Sequence, residues 1–374
     1  MQFSQIYGHQ ETKQLLLNSV QAQHVAHAQL FFGPEGGANL ALALAYAQYL
    51  NCETPTAEDS CGTCSSCSKI SKLIHPDVNF VMPVTKTKDQ SEALSKNFIK
   101  HWRTFLADSP YQTLNDWMQY IGADNKQGNI AREESRELIR TTALKAFEAK
   151  YKVVIIWLPE LLHSTTANAL LKLLEEPPAA TVFLLVSNST DKVLTTILSR
   201  TQLVKVRMFT EEEVIYYLTE QQNVDKDTAY QVAQLAEGNL QAARVLSKEM
   251  TSDYFTFFLS WMRLCYNHKF DGIIEQSEDF QKLGRENQKN FLQFALNLLR
   301  KVLLYGVDSQ LITFLPAPEL DFVQKFSKLI HQGNGAQLSE QINEAHYHIE
   351  RNAHPKITFL DTSIQIAHLI RPVA

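Results

Sequence analysis

Short apolar runs alternate with helix-like patterns through the first half of the chain. Polar, glycine or proline residues bound each run, which is typical of strands separated by helices. The predicted strands cover residues 29–32, 78–82, 152–157, 181–186 and 203–206. The middle three are almost continuously apolar, as expected of strands covered on both faces. The alternation therefore predicts an α/β fold with a parallel five-stranded sheet and crossover helices.

The helix between the third and fourth predicted strands has the clearest limits. Either Ser164 or Thr165 can cap its amino end, and the two prolines at 177 and 178 end it. Its apolar positions fall on one face at helical spacing and are Ala167, Leu170, Leu171 and Leu174.

Residues 84–128 interrupt the alternation with a polar stretch that carries several large aromatic residues. These residues are Trp102, Phe105, Tyr111, Trp117 and Tyr120. The sequence Asp108-Ser109-Pro110 is typical of a break between two helices, so we predict a helical insertion. Its aromatic side chains fit a local core better than a partner-binding surface, and both interpretations stay open at this point.

From residue 210 onward the pattern is helical. Thr210-Glu211-Glu212-Glu213 has the form of a capping box. Amphipathic patterns without strand alternation then continue from residue 254 to the end. A chain of 374 residues is also too long for one average core, so we expect an α/β region followed by helical regions.

Composition is that of an ordinary globular protein. Hydrophobic residues make up 45% and charged residues 20% of the chain, and the formal net charge is −5. This charge argues against strong independent nucleic-acid binding, which needs clustered Lys and Arg. No apolar run reaches the roughly 20 residues that span a bilayer, and the first residues lack a secretory signal pattern. We therefore expect a cytoplasmic protein without a membrane partner.

Four of the five cysteines form a cluster with the spacing C-x8-C-x2-C-x2-C, and these are Cys52, Cys61, Cys64 and Cys67. Two thiolates at C-x2-C spacing can bind one metal ion across a tight turn, and four thiolates satisfy tetrahedral zinc. We therefore predict a closed structural zinc site without a position for catalytic water. The alternatives are a disulfide or redox pair, or His75 as the fourth ligand in place of Cys52.

Residues 33–40, GPEGGANL, lie between a predicted strand and a predicted helix, where a phosphate-binding loop would lie. The pattern of such a loop is G-x-x-x-x-G-K-[ST]. The residues that occupy its frame are Gly33, Gly36, Gly37, Ala38, Asn39 and Leu40. Asn39 replaces the lysine and Leu40 replaces the magnesium-binding hydroxyl. The loop therefore keeps the first glycine of the pattern, has Ala38 in place of the second, and lacks the charged and metal-binding groups.

The acidic residues of a nucleotide site should follow a later strand. The run KVVIIW ends at Trp157, which occupies the position of the metal-binding acid, and Leu158 occupies that of the catalytic acid. Glu160 is the nearest carboxylate along the chain and lies two residues beyond Leu158. Loss of the lysine, the hydroxyl and both acids together argues against Mg-ATP hydrolysis, and we expect no bound ATP.

Several segments together resemble a known family. They are HAQLFFGPEGG at 27–37, the cysteine cluster, HPD at 75–77, ANALLKLLEEPP at 167–178, VSNST at 186–190 and TTILSRT at 195–201. This combination resembles the bacterial clamp-loader subunits of the AAA+ class, which belong to DNA polymerase III. The resemblance implies an AAA+ α/β domain over residues 1–208, with a zinc module at 52–67 and the insertion at 84–128. The same resemblance implies a small helical lid at 209–250 and a helical collar at 251–374 that packs into a pentameric ring.

The resemblance also implies a role for Ser199 and Arg200. In clamp loaders the arginine of a Ser-Arg-Cys motif reaches into the ATP site of the neighbouring subunit, and here Thr201 replaces the cysteine. The implied function is a stator subunit that hydrolyses no ATP itself. Its partners would be the gamma or tau ATPase subunits and delta, with the sliding clamp and primed DNA reached through the assembly. The alternatives are an active ATPase subunit of the gamma or tau type and a zinc-ribbon nucleic-acid-binding protein.

Overall fold

The computed structural model describes residues 1–88, 90–123, 126–249, 254–309, 315, 317–330 and 332–370. The chain divides into two units, which we take in turn. The first comprises Met1–Tyr217 and Gly238–Ala242, and the second comprises Leu218–Glu237 and Ala243–Ala374. The predicted boundary between residues 250 and 251 lies outside the described residues, and the three-domain division remains a prediction.

A five-stranded parallel sheet forms the centre of the first unit, as predicted. Its strands are β1 (Ala28–Phe32), β2 (Val78–Val81), β3 (Lys152–Trp157), β4 (Thr181–Ser187) and β5 (Gln202–Lys205). They lie in the order β2-β3-β4-β1-β5. The register pairs Leu30 with Leu185 and Val154 with Phe183. Every residue of β3 and β4 is buried, because helices cover both faces of a sheet built from crossover connections.

Helices follow or precede each strand of this unit. They are α1 (Gln10–Gln21), α2 (Asn39–Leu50), α3 (Ser65–Ser71), α4 (Ser95–Asp108), α5 (Leu114–Tyr120), α6 (Glu134–Ala143), α7 (Ser164–Glu175), α8 (Thr195–Leu198) and α9 (Glu211–Tyr216). All twelve residues of α2 are buried, so this helix is central to the core. The capping box predicted at α9 is confirmed, since Thr210 and Glu213 each bond the other's backbone N–H.

Helix α7 spans the predicted range, but its predicted cap is wrong. The N-cap is His163, whose ring Nδ1 accepts a hydrogen bond of 3.2 Å from the backbone N–H of Thr165. Ser164 is the first helical residue. An imidazole nitrogen can accept this bond as a hydroxyl would, and a sequence search for hydroxyl and carboxylate caps does not find it. Of the predicted buried face, Ala167, Leu170 and Leu174 are buried and Leu171 is half-buried.

The insertion contains two helices, α4 and α5, separated by a break at 109–113, as predicted. Trp102 and Trp117 are fully buried, with ring centroids 5.1 Å apart in an edge-to-face arrangement. The indole N–H of Trp117 donates to the carbonyl of Pro83 at 2.7 Å, which satisfies its only polar group. Tyr120 is 44% exposed. Four of the five aromatic residues are thus buried, which favours the local-core interpretation.

The described part of the second unit consists of helices and the loops that connect them, without a β-strand. Its helices are α10 (Lys226–Ala236), α11 (Leu240–Glu249, which begins in the first unit), α12 (Tyr254–Tyr266), α13 (Phe270–Lys282), α14 (Arg285–Val307), α15 (Ala317–Phe326), α16 (Gln332–Glu350) and α17 (Pro355–Ile370). One apolar cluster joins α12 to α17, and in it Trp261 donates to Ser363 at 2.8 Å. Among the described residues, no helix is both long and apolar enough to cross a membrane.

Candidate functional site

The loop at residues 33–38 connects β1 to α2, as predicted for a phosphate-binding loop, and Asn39 begins α2. The Asn39 side-chain amide donates to the carbonyls of Gly33 at 2.6 Å and Pro34 at 3.2 Å, and it lies 3.5 Å from that of Ser187. Asn39 is only 4% exposed. A lysine at this position would extend out of the loop to reach a phosphate. Asn39 instead turns inward and bonds to the loop itself.

A second asparagine lies over the outer face of the loop. Gly36 has a left-handed φ of +75°, and a Cβ built there would lie 1.9 Å from Oδ1 of Asn239. The backbone N–H of Leu240 donates to the Gly36 carbonyl at 3.1 Å, and Asn239 Oδ1 accepts from the N–H of Ala242. The first turn of α11 therefore contacts the loop directly, and the carboxamide of Asn239 occupies the space beside Gly36.

Three further positions of a nucleotide site hold buried apolar side chains. Leu40, at the position of the magnesium-binding hydroxyl, is 4% exposed. Trp157 is 5% exposed, and its indole packs 5.0 Å from that of Trp102 in the insertion. Leu158 is 2% exposed and has φ 57°, an uncommon conformation for a leucine. The structure therefore brings the predicted positions together at the carboxyl end of the sheet without supplying a carboxylate or a hydroxyl at any of the three.

Glu160 is half-buried near this edge of the sheet. One of its oxygens lies 3.5 Å from the backbone nitrogen of Asn188, and the other is buried with no hydrogen-bond partner. Burial raises the pKa of its carboxyl group because water no longer stabilises the charged form. This environment disfavours the charged form of the carboxyl group, which is the form that binds Mg²⁺.

The four clustered cysteines converge on one point, as predicted. Their sulfur atoms all lie within 4.8 Å of one another, and all four are free thiols. Three backbone N–H groups point at sulfurs, from Cys61 to Cys52 at 3.2 Å, from Cys64 to Cys61 at 3.3 Å and from Cys67 to Cys64 at 3.3 Å. Such bonds stabilise thiolates, the form that binds metal.

The electrostatics of this cluster fit a bound cation. A hydrogen bond with the side chain of Thr54, followed by backbone N–H groups, lowers the pKa of Cys61 to about 5. Burial raises the pKa of Cys52 and of Cys67, because loss of contact with water disfavours a thiolate that has no positive charge beside it. Four sulfurs this close could hold one zinc ion, at about 2.3 Å from each.

His75, the alternative fourth ligand, is engaged elsewhere. Its Nδ1 accepts from the N–H of Asp77 at 3.1 Å, and its Nε2 lies 3.5 Å from Glu148. Asp77, only 2% exposed, accepts three backbone N–H groups from Phe147, Glu148 and Ala149 at 2.6, 2.9 and 2.9 Å. The segment HPD therefore anchors the turn that leads into β3, and Cys52 completes the sulfur cluster.

Arg200 lies just after α8, beside the start of β5. Its Nε and Nη2 donate to Oε1 of Glu175 at 3.0 and 2.7 Å. Its Nη1 donates to the carbonyl of Thr196 at 3.0 Å and to the hydroxyl of Ser199 at 3.1 Å. The side chains of Arg200 and Glu175 are 34% and 50% exposed. The predicted pair Ser199 and Arg200 is thus in contact, and Glu175 is a partner that sequence reasoning missed.

Two leucines close to Arg200 along the chain are exposed. Leu194 precedes it and Leu203 follows it, and each is 51% exposed. Strand β5 is an edge strand, and three of its four residues are exposed, among them Lys205.

Sequence comparison assigns the family. Residues 8–210, more than half of the chain, match the family described as "DNA polymerase III, delta subunit". The chain is 23% identical to DNA polymerase III subunit tau of Bacillus subtilis over 96% of its own length and 60% of that protein. It is 31% identical to subunit delta' of Pseudomonas aeruginosa over 48% of its length, and 27% identical to subunit delta' of Escherichia coli over 62%.

The chain therefore belongs to the DNA polymerase III delta-subunit family. It spans 60% of the tau relative, 42% of the Pseudomonas delta' and 57% of the Escherichia delta'. Sequence reasoning named the loop, the cysteines and Arg200, and the role of Arg200 remains a prediction. It missed the contacts of Glu175 and Asn239, although Glu175 lies within the segment ANALLKLLEEPP and Asn239 within GNLQAAR. Both residues contact elements that are distant from them in sequence.

Proposed function

We propose that this chain is a delta-prime-type stator of the DNA polymerase III clamp loader. In this role it hydrolyses no ATP itself and helps an assembly to load the sliding clamp onto primed DNA in the cytoplasm. The observation that supports the proposal most is Asn39, which bonds to Gly33 and Pro34 of its own loop where an ATPase has a phosphate-binding lysine. The frame of the nucleotide site then serves as a packing scaffold.

The catalytic contribution of such a subunit is made in trans, by Arg200. A guanidinium directed at the γ-phosphate in a neighbouring subunit stabilises charge that develops in the transition state. The exposed leucines at 194 and 203 support a protein interface at this place. Within the same proposal, the helical second unit includes the collar of a pentameric ring, and the partners are gamma or tau ATPase subunits and delta. Zinc at the four cysteines has a structural role only.

A second candidate is an ATP-hydrolysing subunit of the gamma or tau type. The match to a tau subunit over 96% of this chain favours it. The two candidates differ in whether this chain binds nucleotide itself. The buried apolar residues at Leu40, Trp157 and Leu158 support the first candidate, because no group there can hold Mg²⁺.

Calorimetric titration of the isolated, zinc-loaded chain with Mg-ATP tests the proposal. We expect no heat of binding, and we expect the same with Mg-ADP. The tau subunit from the same organism, titrated in the same buffer, is the positive control. A dissociation constant in the micromolar range for this chain would overturn the stator proposal and favour the ATPase candidate.

A further inference from the structure

We infer that Glu175 is a positioning residue for Arg200. It orders the guanidinium of Arg200 before that group contacts the phosphate in the neighbouring subunit. This inference rests on the proposed action of Arg200 in trans. It concerns the last residue of α7, 25 positions before the arginine.

Four hydrogen bonds fix the plane of the guanidinium. Two run from Nε and Nη2 to the same oxygen of Glu175, and two run from Nη1 to Thr196 and Ser199. A guanidinium has five N–H donors, so one N–H on Nη2 is left for another acceptor. The side chain is therefore held at both of its edges, by α7 on one side and by α8 with Ser199 on the other.

The ion pair does little for the stability of the fold. The two side chains are 34% and 50% exposed, and exposed ion pairs contribute little to stability. A carboxylate at the carboxyl end of a helix is also disfavoured by the helix dipole. A carboxylate at this end of α7 does not stabilise the helix. What Glu175 does make there is a pair of hydrogen bonds with Arg200.

Ordering an arginine has a large entropic cost. Its side chain has many rotamers in solution, and a catalytic group that is ordered beforehand does not lose that entropy in the transition state. Glu175 lowers this cost for Arg200 by restricting its rotamers in the free subunit. The expected consequence is a faster chemical step at the neighbouring site without a change in nucleotide affinity.

A different role for the same contact makes the opposite prediction. Glu175 occupies the Nε and Nη2 edge of the fork, so it could act as a latch that competes with phosphate. A latch predicts that loss of the carboxylate raises ATP hydrolysis in the absence of clamp and DNA. A positioning role predicts that the same change lowers the stimulated rate. The sign of the effect separates the two.

The test uses the complete clamp loader reconstituted with this chain, with sliding clamp and primed DNA. Glu175→Gln should lower the stimulated kcat of ATP hydrolysis by about 3- to 10-fold at the site that Arg200 faces, with KM unchanged, since up to about 1.4 kcal/mol of preordering is lost. Glu175→Ala should lower it further, because glutamine can still accept from Nε. The matched control is Glu176→Gln, at the next residue. The Glu176 carboxylate makes no hydrogen bond or ion pair with the described residues, so this change should leave the rate unchanged.

A double-mutant cycle with Arg200→Ala completes the test. Glu175→Gln added to Arg200→Ala should have no further effect, because a positioning residue acts only through the group it positions. A normal rate for Glu175→Gln beside a reduced rate for Arg200→Ala would overturn this inference and leave the proposed function intact. Raised basal hydrolysis in Glu175→Gln, or an additive double variant, would also overturn it. Normal rates for Arg200→Ala would overturn the proposed function itself.

Discussion

The indole of Trp157 lies 5.0 Å from the indole of Trp102, measured between ring centroids. Trp157 ends β3, at the position where a working nucleotide site has its metal-binding acid, and Trp102 belongs to α4 of the insertion. The aromatic core of the insertion thus extends to the edge of the sheet where an active subunit would bind Mg²⁺ and nucleotide. Restoring one acid there would require burying a charge against an aromatic cluster, which is strongly unfavourable.

This packing predicts a large loss of stability for Trp102→Ala. Removing a fully buried tryptophan should lower the free energy of unfolding by about 3–5 kcal/mol, from lost burial and the cavity left behind. Urea denaturation followed by circular dichroism measures the loss. Tyr120→Ala, on the same insertion but 44% exposed, should change stability much less. Equal effects of the two substitutions would contradict a local core and favour a partner-binding surface.

Patterns local in sequence predicted much of the fold. All five strands were found within a residue of their ends. The clearest were β3 and β4, because strands that are buried on both faces are almost continuously apolar. The break at 109–113 was found because proline and serine disfavour helix there. The thiol cluster was found because its ligand spacing is fixed by tight turns.

Contacts across the fold were not predictable in the same way. The pairing of Glu175 with Arg200 depends on the end of α7 meeting the end of α8, and nothing in either local pattern encodes that meeting. The same holds for Asn239, which reaches Gly36 from 203 positions later in the chain. The His163 cap was missed because imidazole is a less common capping group than a hydroxyl or a carboxylate.

The thiol cluster predicts one zinc ion per chain. Metal analysis of freshly purified, reduced protein should find it, and Cys64→Ser should reduce the zinc content and loosen residues 52–71 in hydrogen exchange, because metal binding and local folding are coupled. Cys265→Ser, which changes a buried thiol of the second unit, should keep one zinc per chain. Protein without zinc in the reduced wild type would refute the site.

Asp77 predicts a stability difference that depends on pH. Burial alone would raise the pKa of its carboxyl group, but the N–H groups of Glu148, Phe147 and Ala149 together hold the pKa below its ordinary value of 3.8. A lowered folded-state pKa stabilises the fold above the ordinary value, and this stabilisation is lost as the pH falls through the folded-state pKa. Asp77→Asn should therefore cost about 1–3 kcal/mol at pH 7, since an amide cannot accept all three bonds.

The check is denaturation of wild type and Asp77→Asn between pH 7 and pH 3. The difference in unfolding free energy should be constant down to about pH 5 and should shrink below about pH 4. Asp191→Asn, an exposed aspartate, should show almost no difference at any pH. A penalty for Asp77→Asn that stays the same down to pH 3 would show that charge at Asp77 is not what stabilises the turn.

Arg200→Ala tests the central claim, that this subunit promotes ATP hydrolysis in its neighbour. A subunit with only a structural role in the ring would not need the arginine. The isolated variant should stay folded, because the ion pair with Glu175 is exposed. In the reconstituted clamp loader the ATP site that faces Arg200 should slow by about 10³–10⁵-fold. Arg200→Lys should rescue poorly, because lysine lacks the planar fork.

The most direct measurement is the rate of ATP hydrolysis and clamp loading by complexes that carry Arg200→Ala or Lys205→Ala. Lys205 is exposed and lies close to Arg200 along the chain, so it controls for general charge at this surface. We predict normal rates for Lys205→Ala, and for Arg200→Ala a partial fall in total hydrolysis with a larger fall in clamp loading at unchanged ATP binding. Wild-type rates for Arg200→Ala, or equal losses in both variants, would contradict the account.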